Sequence, residues 1–170
     1  MGIKANFNMD DIRRKMYEHQ EKIIKSALAA YKMACLDMVN RAKSNNTYLD
    51  QTGNLRSSIG YVLYYNGAEV DSYFVPMPAQ VVEYKDKYGV SRKTPGGDGV
   101  EGSKKGYEYA KQIAEDKNSK GIVAVVVAGM DYAYYVETQG NDVLEGSKHQ
   151  FAGDLRKHLE DVNSQHGTKF

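Results

Sequence analysis

From Asn8 to about Asn45, apolar side chains and one histidine recur at steps of three and four, through Ile12, Met16, His19, Ile23, Ala27, Ala30, Ala34 and Met38. That is the period of one helical face. Asn8 or Asp10 can cap the start, and Asp10 and Asp11 suit the positive end of the helix dipole. A second stripe, Ile24, Leu28, Tyr31, Cys35, Val39 and Ala42, widens the apolar arc in the later half, whereas the first turns carry Arg13, Arg14, Lys15, Glu18, Glu21 and Lys22. So wide an arc calls for burial on more than one side, either by a neighbouring subunit or within the chain's own fold.

The period then changes. In "NLRSSIGYVLYYNGAEVDSYFV", Leu55, Ile59, Tyr61, Leu63 and Tyr65 alternate as on one face of a strand, and Asn66-Gly67 is the favoured two-residue hairpin turn because both positions accept positive φ. Regular pairing from that turn sets Tyr65 opposite Ala68, Leu63 opposite Val70 and Ile59 opposite Phe74. Pro76 and Pro78 end the second strand.

Residues 76 to about 118 read as a long flexible insertion, rich in glycine and charge, with a short helix predicted from Tyr107 to Asp116. "GIVAVVVAGM", 121 to 130, is a β-branched run suited to a central strand covered on both faces. A last helix is expected from about Ser147 to Ser164, with Phe151, Leu155, Leu159 and Val162 as its apolar stripe, and a fraying tail "GTKF". These elements predict a single α+β domain over 1–170: a long N-terminal helix, a small and mostly antiparallel sheet with a β-hairpin, and a C-terminal helix.

Composition narrows the function classes. With 170 residues a sizeable core can form without disulfides, and the lone Cys35, set in a hydrophobic helix, is expected to be inert. No apolar run approaches the roughly 20 residues needed to span a bilayer, and "MGIKANFNMDD" lacks the apolar core of a signal peptide, so no membrane association and folding in a reducing cytoplasm are expected. A formal net charge of +1 gives no broad attraction to nucleic acid; even the insertion has only nine Lys or Arg against six Asp or Glu between Lys85 and Lys120.

"TPGGDGVEGSKKG", 94 to 106, resembles a phosphate-binding loop only superficially: Ser103 precedes Lys104, the reverse of the order that lets lysine reach the outer phosphates, and no buried strand leads into it. His19, His149, His158 and His166 form no zinc-binding spacing, and His149 and His158 are expected on the polar side of the last helix. No catalytic residue, cofactor or metal is expected. Of 14 tyrosines, 11 lie between Tyr61 and Tyr135, the composition of a contact surface or of a sheet margin.

"TGNLRSSI", 52 to 59, after a long helix, and "YAYYVETQG", 132 to 140, after an apolar strand, together resemble the bacteriophage minor tail-component family, which acts in tail completion and head-tail joining. Thr52, Gly53, Leu55, Arg56 and Ser58 match its first motif, and Tyr132, Ala133, Val136 and Glu137 its second; Gln139 before Gly140 departs from it. The resemblance implies a non-enzymatic virion protein at the neck or tail, made in the host cytoplasm, assembling with itself as a ring and with other neck and tail proteins. Arg56, Tyr134, Tyr135 and Glu137 would be interface or structural residues, with Arg56 and Glu137 either paired or independent surface charges. Another neck component (a head-closure or tail-terminator protein), a non-virion DNA-binding accessory protein and a nucleotide-binding enzyme are the alternatives.

Overall fold

The structure, a computed structural model, describes residues 8–45, 47–116 and 120–166; the tail "GTKF" lies outside them. Among the described residues the elements follow in order: α1 (Met9–Ser44), α2 (Asn54–Ser57), β1 (Ile59–Tyr65), β2 (Ala68–Tyr73), β3 (Glu83–Lys85), β4 (Ser91–Lys93), α3 (Val100–Asp116), β5 (Ile122–Ala128), α4 (Ala133–Thr138) and α5 (Glu145–His166). The fold is α+β, with the long N-terminal helix, small antiparallel sheet, hairpin and C-terminal helix that the periodicities predict. Asn8 caps α1, its side chain accepting from the Asp10 amide at 3.0 Å.

The main sheet runs β2-β1-β5, all antiparallel, and β3 pairs with β4 in a small separate ribbon. The central strand is therefore β1, whose residues from Ile59 to Tyr64 are all buried. The β-branched run of β5, expected at the centre, is an edge strand and mostly half-buried. An apolar run is equally compatible with both places, because helices cover both faces of the sheet out to its margin. Ile59, Tyr61 and Leu63 face one core with α1, α4 and α5, and Val62 and Tyr64 face a second core with Ala110 and Ala114 of α3. The result is a helix-sheet-helix sandwich.

Asn66 and Gly67 adopt φ of 50° and 82°, and Tyr65 pairs with Ala68 as expected from this turn. Beyond Tyr64 the register departs from regular pairing. A bulge between Leu63 and Tyr64 sets Leu63 opposite Asp71, not Val70, and Tyr61 opposite Tyr73. One extra residue in β2 reverses which face each later side chain meets. Val70 is left exposed, whereas Phe74 turns to the α3 face and meets Tyr107 edge-on at 6.0 Å between centroids. Gly60 makes this crossing feasible, because a Cβ there would come within 2.5 Å of the Phe74 ring.

The glycine-rich stretch is built differently from the loop expected. α3 begins at Val100, upstream of Tyr107, with Asp98 accepting from the Val100 amide at 3.0 Å. Gly99, Gly102 and Gly106 press against α2 and the start of β1: a Cβ on Gly102 would come within 2.6 Å of the Asn54 Cα, and one on Gly106 within 2.8 Å of the Phe74 ring. Their role is close backbone approach, for which any side chain is too large.

α5 lies antiparallel along the later half of α1. Arg41 pairs with Asp154, and one turn further back His158 meets Asp37 at 2.7 Å. His158 thus belongs to this helix pair instead of the solvated face expected for it; His149 is exposed, and the side chain of His166 is not among those described. Ala30, Ala34, Cys35, Met38, Val39 and Ala42 are all buried within the chain's own fold. Residues 9–22 of α1, in contrast, are exposed without exception, leaving Met9, Ile12, Met16 and Tyr17 uncovered over a length of about 20 Å at ~1.5 Å per residue.

Candidate functional site

The segment 52 to 59 forms a joint where four parts of the chain meet. Gly53 has φ of 76°, and a Cβ there would collide with the Met77 carbonyl, so only glycine fits. Ser57 donates to the Gly53 carbonyl at 2.6 Å and accepts from the Met77 amide at 2.7 Å, holding the 76–80 segment against α2. The Asn54 side chain accepts from the Gly102 amide at 3.1 Å, tying in the start of α3. Leu55 fills the larger core.

Arg56 is mostly buried. Its Nε donates to Asp50 at 3.1 Å and its Nη2 to the Pro78 carbonyl at 2.8 Å, while its backbone amide donates to the same Asp50 oxygen at 3.2 Å. Asp50 therefore caps α2 and neutralises Arg56 at once. The expected alternative of an Arg56–Glu137 pair is replaced by this one. Glu137 instead accepts from the amides of Leu144 at 3.0 Å and Glu145 at 2.7 Å, a carboxylate cap on the first turn of α5. Neither partner was visible in the periodicity, since Asp50 lies in an irregular segment and Glu137 in a helix of 6 residues, each reaching the start of another helix.

The second motif adjoins the first, with Tyr132 beside Thr52. Ala133 and Val136 pack into the core, whereas Tyr134 and Tyr135 point outward, 79% and 65% exposed. Tyr134 borders an open depression of about 230 Å³ lined also by Tyr109, Ala128, Gly129, Met130 and Asp131. A second, larger depression of about 400 Å³ lies on the bare half of α1, between Met16, Tyr17, Ile23 and Ile24, with Arg13, His19 and Gln20 around it. Both are open surfaces suited to contact with another macromolecule.

Lys104 is exposed on α3, next to Ser103, whose hydroxyl donates to the Val100 carbonyl at 3.1 Å. Burial pushes the Cys35 thiol up to about 12, which keeps it un-ionised. Among the described residues no group of three or more His, Cys, Asp or Glu could hold a metal ion, and no helix is long and apolar enough to cross a membrane.

Lys43 is a buried ammonium: its Nζ lies 3.4 Å from the Val75 carbonyl oxygen and 5.5 Å from the Tyr73 ring centroid. Burial, and then the charge of Arg56, lower its pKa from 10.5 to about 8. Between these two values the unfolded chain retains a proton that the folded protein has released, so stability should rise with pH from about 8 towards 10.5 on this account. Urea melts across that window should show the rise in the wild type relative to Lys43→Met; parallel curves would contradict it.

No protein family, curated protein or solved structure matches this chain.

Proposed function

We propose that this protein is a structural component of a tailed-bacteriophage particle, acting in tail completion or head-tail joining as part of a ring at the neck, and performing no chemistry of its own. The observation that carries the reading is the bare half of α1, where Met9, Ile12, Met16 and Tyr17 continue into solvent the apolar face that α5 and the sheet cover further along. An isolated domain gains nothing by exposing such a face; a part of an assembly uses it for contact. The motif resemblance supplies the class of assembly. Arg56, Ser57 and Glu137 make internal bonds, so the two motifs act as a scaffold that presents Tyr134 and Tyr135 beside the tyrosine-lined depression.

A phage lacking this gene should still make DNA-filled heads and tails, yet yield few infectious particles because the two do not form a stable junction. Labelled protein should locate to the neck of the particle. Fully infectious virions from the deletion, or purified particles without the protein, would overturn the reading, and strongly salt-dependent DNA binding by the purified protein would favour a DNA-binding accessory role instead.

A further inference from the structure

The two edges of the main sheet are treated differently. β2 carries Glu69 and Asp71, is interrupted by the bulge, and leads into Pro76 and Pro78; charges, bulges and proline are the usual means by which a sheet edge is kept from pairing with another strand. β5 has none of these. From Ile122 to Ala128 it is regular, uncharged and rich in valine, and among the described residues nothing hydrogen-bonds its outer side. An edge with these properties is a template for a further strand.

We propose that the β5 edge pairs with β5 of a second copy of this chain, antiparallel about a two-fold axis at Val125, to give a continuous six-stranded sheet. The ladder geometry leads to this register. Gly129 donates to the Ser58 carbonyl at 3.2 Å and Asn66 to the Gly121 carbonyl at 2.9 Å. In an antiparallel ladder such bonded pairs alternate with unbonded ones, so Val123, Val125 and Val127 bond to β1, while the N–H and C=O of Ile122, Ala124, Val126 and Ala128 point outward. A strand that begins and ends on outward-pointing residues is self-complementary: Ile122 faces Ala128 of the second copy, Ala124 faces its Val126, and every outward group finds a partner.

Charge favours the same arrangement. Lys120 precedes the strand and Asp131 follows it, both exposed. Antiparallel pairing brings each Lys120 to the end where Asp131 of the second copy lies, whereas parallel pairing would set lysine beside lysine. Ala128 also borders the depression lined by Tyr109 and Tyr134, so Ile122 of the second copy arrives beside it. A two-fold contact makes a dimer and does not by itself close a ring. The inference is therefore independent of the neck reading, and in a ring this dimer would be the building unit.

Light scattering on the purified protein should give twice the 19.0 kDa chain mass. Ala124→Pro removes an outward N–H and leaves the β1 ladder intact, so it should give a monomer with an unchanged circular dichroism spectrum. Val125→Cys places a thiol at the axis opposite its own copy, at a spacing a disulfide can bridge, and mild oxidation should link two chains. Cys35 is fully buried and cannot substitute for it. A monomeric wild-type protein, or an assembly in which Val125→Cys does not cross-link, overturns the proposal; cross-linking by Val123→Cys in place of Val125→Cys would do the same, since it requires another register.

Discussion

Replacing Asp50 by alanine is expected to cost the protein about 3–5 kcal/mol, the usual penalty for leaving one member of a buried ion pair without its partner. Both side chains are withdrawn from water, with Arg56 12% and Asp50 2% exposed. Removal of the carboxylate strands the guanidinium and also uncaps α2, because the Arg56 backbone amide uses the same oxygen. Arg56→Glu should be comparably damaging, since it sets two carboxylates against each other. The double variant Asp50→Leu/Arg56→Met should lose less than Asp50→Ala alone, as no charge then remains unpaired. Urea denaturation would measure all three, and a loss within 1 kcal/mol for Asp50→Ala would mean that water reaches Arg56 and relieves it.

A second large effect has opposite signs at two glycines. In a helix interior, alanine is ordinarily more stabilising than glycine by about 0.5–1 kcal/mol. Gly153 on α5 has nothing within 4 Å of where its Cβ would stand, so Gly153→Ala should gain that amount. Gly106 on α3 meets the Ser58 carbonyl and the Phe74 ring, and Gly129 of the β5 exit also lies against its backbone. Gly106→Ala should therefore lose roughly 1–3 kcal/mol through overpacking, despite the better helix former. If both substitutions stabilise, α3 lies further from the sheet than described.

These two sites also show where sequence reading reaches its limit. Strong local signals were legible: the three-four period and the Asn8 cap of α1, the Asn66-Gly67 turn, and the stripe of α5 from Phe151 to Val162. The bulge was not, because Val70 and Phe74 are both apolar and either can oppose Leu63 or Ile59 without penalty on paper. The start of α3 was not, because Gly99, Gly102 and Gly106 weigh against helix by propensity, while the decisive contribution, contact with α2 and the start of β1, comes from chain some 50 residues away. Of the candidate residues, Tyr134 and Tyr135 are placed on the surface as contact residues would be, whereas Arg56 and Glu137 serve the domain itself through partners that no spacing rule would join.

The uncovered half of α1 has a further consequence, in the thermodynamics of the helix itself. A free segment of this length would be marginal in water, because starting a helix is costly even when lengthening it is not. Here the start is provided by the anchored half between Ala30 and Lys43, and residues 9–22 have only to propagate from it, one hydrogen bond per residue, out to the stop at Asn8. Their order is thus borrowed from the domain, at a propagation constant close to one, and any body that settles on Met16 and Tyr17 would convert a fraying extension into a rigid arm.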